Sequence, residues 1–276
     1  MKKKQVKIFK YKKYPHFDEK VHWKYLVDKI RNPKFIMGHA FYPFIRYCQA
    51  MQKYPKKYIS GMRTKRDEPK TRIIMYSAHI DRYIYEYYSH IINTKYNKKI
   101  RQLGINKCAV AYRTNLGKSN INFAKEAFCF LRSCTDALVI IGDFTKYFDC
   151  IDHKYLKHQL CSLLGEQKLP EDFYAVFRSV TKFSYLELDE ILKFKKLKKA
   201  EFNQLDRVFT PIELRNYKQG RILYNKNTYG IPQGSAISAC LSNVYLIKSL
   251  SQPPWNLKKS ENVERALSSL PIQIPV

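Results

Sequence analysis

The chain has 276 residues, 45% of them hydrophobic, enough for a real core in one large domain or two subdomains. No window approaches the roughly 18 consecutive apolar residues of a membrane span. The basic start "MKKKQVKIFKYKKYP" also lacks the apolar stretch of a secretory signal, so a cytoplasmic protein with no membrane partner is expected.

The net charge of +28 is lopsided: residues 1–100 hold 25 of the 51 Lys/Arg but only 7 of the 23 Asp/Glu. The same segment holds 13 of the 22 tyrosines. Cations interleaved with aromatics suit a phosphate backbone with bases to stack on, and nucleic acid is the expected partner. The plainer reading is a soluble basic surface. An anionic membrane fits less well, because no basic stretch shows an amphipathic stripe. The seven cysteines include no C-x-x-C pair and read as reduced, mostly buried small apolar residues. His153, His158 and Cys161 match no standard zinc spacing.

In chain order, residues 1–60 read as polar helix interrupted by Pro15, Pro33, Pro43 and Pro55. "TRIIMY" (71–76) is a β-rich run. From Asp81 a helical period follows, with Ile80, Ile84, Tyr87, Tyr88 and Ile91 on one face. "KCAVAYR" (107–113) reads as a short strand. "GKSNINFAKEAFCFLRS" (117–133) reads as a helix capped by Ser119 or Asn120, with Phe123, Ala127, Phe128 and Leu131 as its apolar face. "ALVIIGD" (137–143) reads as a buried central strand. The next helix carries Leu156, Leu160, Leu163 and Leu164, starts at a cap from Asp149 or Asp152, and stops at Gly165. Residues 185–226 are mixed and charged, with the basic patch "KFKKLKK" (193–199), which is either a solvated face or a template contact. "NTYGIPQGSAISACLSNVYLI" (227–247) is a Gly/Pro turn leading into an apolar helix, and the remaining residues are proline-broken.

Two stretches carry chemistry. "GDFTKYFDCIDH" (142–153) places Asp143 at the end of the expected strand, where a hard cation such as Mg²⁺ is well served; the alternative is a turn cap. "GIPQGSAIS" (230–238) is a glycine loop that brings backbone close to a ligand.

Together these stretches resemble motifs A and B of bacterial reverse transcriptases of the retron, group II intron and phage-defence kind. "DFTKYFDCIDH" is similar to motif A, with the lysine shifted one place, and "PQGSAISACLSNVYL" is similar to motif B. "KTRIIMYSAHIDRYIYEYY" resembles the finger motif upstream, so the resemblance spans roughly residues 65–247. It implies an α+β right-hand polymerase: N-terminal extension and helical fingers over 1–130, a partial palm with a small antiparallel sheet over 131–248, an irregular tail over 249–276, and no thumb. It implies RNA-directed DNA synthesis from dNTPs with Mg²⁺ on an RNA template with a DNA or RNA primer. Phage defence is the implied role, and a noncoding RNA is a further candidate partner. Residue by residue, it gives Asp143 and the Phe144 carbonyl to the metal ions. Phe148 becomes a gate against a 2′-hydroxyl, Gln233 and Gly234 line the templating pair, and Arg72, helped by Lys70, clamps the triphosphate.

The sequence departs from the family in one respect. The hairpin reading [YF]-x-D-D is missing, no aspartate follows Asp206, and the only acids beyond Gln233 are Glu261 and Glu264. Impaired polymerisation is therefore expected. The accounts are truncation, a natural partial protein that binds nucleic acid without catalysis, and completion by a partner chain. Asp149 and Asp152 read as structural rather than as the missing ligands, and His153 and His158 as ordinary helix residues.

Overall fold

The computed structural model describes residues 8–51, 58–59, 62–63, 69–136, 139 and 142–251. Little of the expected N-terminal helix forms. There are a 3₁₀ turn at Trp23–Tyr25 and two short helices, α1 (Val27–Arg31) and α2 (Pro33–Gly38). Pro33 opens α2 at a position that needs no N–H, and the Asn32 side chain accepts from the Lys34 and Phe35 amides. Past Pro43 the period changes to two. Phe44 and Ile45 are buried on opposite faces of β1 (Phe44–Met51).

β2 (Tyr58–Ile59) and β3 (Met62–Arg63) form a small antiparallel pair. β4 (Lys70–Tyr76) takes up the β-rich run and pairs antiparallel with β1 from Ile45↔Tyr76 to Met51↔Lys70. α3 (His79–Gln102) then runs for 24 residues. Its buried stripe is Ile84, Tyr88, Ile92, Tyr96 and Ile100, spaced four apart, while Ile80, Tyr87 and Ile91 sit half-buried at the edge. Ala78 cannot cap α3. Asp18, some sixty residues earlier, does so instead, accepting from the amides of His79 (3.0 Å) and Ile80 (2.9 Å).

Residues 107–113 are turns, not the expected strand. The Arg113 guanidinium gathers the carbonyls of Asn106 (3.1 Å) and Ala109 (2.7 Å) and so curls the segment around itself. α4 (Asn120–Arg132) forms where expected, with the Ser119 amide donating to Asn122 Oδ1 at 2.9 Å. None of its residues is buried, and Phe128 on its apolar face is 65% exposed. Most of the expected strand 137–143 lies outside the described residues.

α5 (His153–Leu164) starts at Asp152, whose Oδ1 accepts from the Tyr155 amide at 2.6 Å. It stops at Gly165 in the left-handed conformation, with the Gly165 and Glu166 amides both on the Cys161 carbonyl. Then follow α6 (Glu171–Thr181), β5 (Ser184–Glu187), α7 (Leu188–Lys195), α8 (Lys199–Phe202), α9 (Pro211–Tyr217), β6 (Leu223–Tyr224), α10 (Ser238–Tyr245) and α11 (Ile247–Ser251).

The four-stranded sheet has the order β4-β1-β5-β6. It is mixed rather than antiparallel, because β1 and β5 run parallel after the long helical connection between them. One face meets α3, α5, α6 and α10 through Phe44, Tyr85, Tyr88, Leu156, Val180 and Leu241. The other face carries a second core of Phe17, Ile45, Leu186, Ile191, Phe202 and Phe209, so the mixed stretch 185–226 folds onto the sheet. The chain is thus a mixed α/β structure. Among the described residues no helix is long and apolar enough to cross a membrane. The cysteine expectation needs correction: only Cys161 and Cys240 are buried, and Cys48, Cys108, Cys129 and Cys150 are exposed.

Candidate functional site

Three segments far apart in sequence meet at the loop 228–235. Its first contact is with residues 148–153. The Gly230 amide donates to the Ile151 carbonyl at 2.8 Å, and the Ile231 amide to the Phe148 carbonyl at 2.9 Å. Gly230 has φ +88°, and a Cβ there would lie 3.1 Å from the Asp149 carbonyl oxygen. The second contact is with β4. The Met75 amide, on the strand edge away from β1, donates to the Gln233 carbonyl at 2.8 Å. Gly234 has φ +110°, and a Cβ there would meet the Met75 carbonyl oxygen at 2.7 Å and Ile74 Cγ2 at 3.0 Å.

His153 braces the same loop. Its amide donates to the Thr228 carbonyl at 2.9 Å, and its Nε2 lies 2.7 Å from the Gly230 carbonyl, so Nε2 carries the proton. Burial holds its pKa below the ordinary histidine range. From its sequence context alone His153 reads as an ordinary helix residue. The available signal was its position directly after the Asp152 cap, within the segment that the loop must touch. His158 is exposed, and no zinc cluster forms with Cys161 among the described residues.

Arg72 and Lys70 are exposed on β4. Alternation puts both on the Ile74 face, with Arg72 about 7 Å along the strand from the residue that Gly234 touches. Tyr47 pairs with Ile74 across the sheet, and Lys199 Nζ lies 5.1 Å from the Tyr47 ring centroid. A cation at the end of the 193–199 patch therefore stands on the same face as Arg72. Within that patch, Lys193 pairs with Glu190 and Lys195 with Glu213, so part of it is an ordinary paired surface.

Phe148 is half-buried beside Tyr147, whose hydroxyl donates to the Ser242 carbonyl on α10 at 2.9 Å. Phe144 is 46% exposed, with its ring 5.2 Å from that of Tyr147. Gln233 is half-buried and Gly234 is open to solvent. Ser235 Oγ is buried just behind them without a hydrogen-bond partner among the described residues. Lys146, beside the loop contact, holds a left-handed φ of +50°, an uncommon state for a side-chain-bearing residue.

Asp143 is exposed and makes no hydrogen bond or ion pair with a described residue. Among the described residues there is no group of three or more His, Cys, Asp or Glu that could hold a metal ion. Asp149 has a carboxyl raised by partial burial, with Lys146 opposing the shift, and Asp152 is committed to capping α5. The structure brings Gln233, Gly234 and Phe148 together with the strand that carries Lys70 and Arg72. It joins Asp143 and Phe144 to them only through the chain and the Tyr147 ring.

Comparison with family models and with curated proteins finds no match for this chain.

Proposed function

We propose that this chain belongs to the reverse-transcriptase lineage and binds a template–primer together with a dNTP at the surface where β4, residues 143–152 and the loop 228–235 meet. In this reading Arg72 and Lys70 meet the triphosphate, Gln233 and Gly234 line the templating pair, and Phe148 screens the 2′-position of the sugar. The carrying observation is the set of backbone bonds from Gly230, Ile231 and Gln233 to Ile151, Phe148 and Met75. It supports the reading because these are the three segments that the sequence resemblance assigns to one site. The basic character of residues 1–100 and the cations on the Arg72 face supply the phosphate affinity.

RNA-directed DNA synthesis is the reaction of this reading. Phosphoryl transfer needs more carboxylates than Asp143, and the sequence carries no [YF]-x-D-D, so the chain alone extends primers weakly. A second reading, a non-catalytic nucleic-acid-binding protein on the same scaffold, draws its support from the missing [YF]-x-D-D. Template-matched dNTP binding, measured beside primer extension in the wild type and in Asp143→Ala, separates them. Both readings predict RNA binding, and only the first predicts dNTP dependence and a residue of extension that Asp143→Ala removes.

A further inference from the structure

A cavity of about 530 Å³ opens between α2, α5 and α6, lined by Lys157, Lys168, Arg178, Glu171, Tyr174 and Met37 among others. None of its lining residues belongs to β4, to residues 143–152 or to the loop 228–235. Its size falls within the roughly 300–1,000 Å³ range of small-molecule sites. Three cations face one carboxylate. No ion pair occupies Lys157, Lys168 or Arg178 among the described residues. Lys157 Nζ stands 5.0 Å from the Tyr174 ring centroid, and Tyr174 is still 45% exposed, which leaves aromatic surface open to the cavity.

Cations without an ion-pair partner beside a partly exposed aromatic ring suit a ligand that carries both a phosphate and a planar base. An acidic peptide would use the cations and leave the ring idle, and inorganic phosphate would do the same. We propose that this cavity binds a nucleoside phosphate, free or as one unit of a nucleic-acid strand, with the base against Tyr174 and the phosphate between Lys168 and Arg178. Glu171 is the one unfavourable neighbour of that phosphate. The site stands independently of the loop 228–235, because its ligand is held by different residues and its test reads binding rather than polymerisation.

The full chain is titrated by calorimetry with ATP, with a short oligothymidylate and with inorganic phosphate. The variants are Lys168→Glu/Arg178→Glu, Tyr174→Ala, Glu171→Gln and a charge-matched control on α4, Lys125→Glu/Arg132→Glu. Circular dichroism confirms that each is folded. The expected result is about 10-fold weaker binding in both Lys168→Glu/Arg178→Glu and Tyr174→Ala, and about 3-fold tighter binding in Glu171→Gln. The α4 control changes little. Dependence on these residues with ATP identifies a free nucleotide, and dependence with the oligothymidylate identifies a strand. Binding of neither overturns the proposal. So does an equal loss in the α4 control, no effect of Tyr174→Ala, or phosphate binding as tightly as the nucleotides.

Discussion

The Met75 amide donates to the Gln233 carbonyl at 2.8 Å and ties the edge of β4 to a loop 158 residues further along the chain. The bond needs Gly234, because any side chain there would run into the Met75 carbonyl at 2.7 Å with a backbone already at φ +110°. Gly234→Ala should destabilise the protein by about 2 kcal/mol, more than the entropy gain of removing a glycine returns. Denaturant unfolding checks it. A variant as stable as the wild type would mean that the loop is free of β4.

Asp18 caps a helix to which it is not adjacent. Asp18→Ala leaves the amides of His79 and Ile80 without their acceptor and removes one of the ties between the N-terminal segment and α3. The expected loss is about 2–3 kcal/mol. Asp152→Ala removes only the local cap of α5 and should cost about 1 kcal/mol. Parallel urea titrations compare them, and an Asp18→Ala loss no larger than that of Asp152→Ala would contradict the remote-cap role.

His16 makes the fold acid-sensitive. It is fully buried, its Nδ1 accepts from the Phe17 amide at 2.8 Å, and its Nε2 faces the Tyr76 carbonyl at 3.2 Å. Burial lowers its pKa to about 3, with the Tyr76 carbonyl opposing and His79 adding to the shift. As pH falls through the ordinary histidine value, the unfolded chain takes the proton first, so stability drops by up to about 1.4 kcal/mol per pH unit. Asp81, buried against His39 and the Tyr42 amide, has its carboxyl raised by burial to about 6 and acts in the opposite sense below that pH. Comparing the wild type with His16→Gln isolates the histidine. The stability advantage of the wild type should shrink between about pH 7 and about pH 5, and an advantage constant with pH would refute the assignment.

Much of the local structure is legible in the sequence. Ser119, Asp152 and Gly165 announce helix ends through short-range chemistry, and the β-rich run 71–76 becomes β4. What escaped depends on distant partners. Residues 107–113 have strand-like composition, yet the single Arg113 guanidinium draws the Ala109 carbonyl, and that of Asn106 before it, to itself. β5 joins β1 in parallel after β4 and the four helices α3 to α6 intervene, which no local pattern encodes. At the site, the glycine spacing marked the loop 228–235, but not that His153 would brace it or that its edge partner would be Met75. Asp143 is legible as a candidate ligand, while the carboxylates it would share a metal with are not among the described residues.

The proposed nucleotide site where β4, residues 143–152 and the loop 228–235 meet is open to direct measurement. The direct measurement is dNTP binding to the full chain on an RNA template–primer with Mg²⁺, by filter retention, beside primer extension on the same complex. At the proposed site the dNTP matching the template should be retained over mismatched ones. Arg72→Ala weakens that retention about 10-fold or more, through loss of a charge-assisted phosphate contact. Any extension is weak and disappears in Asp143→Ala. Retention indifferent to the template base and to Arg72, or robust extension that survives Asp143→Ala, would contradict it.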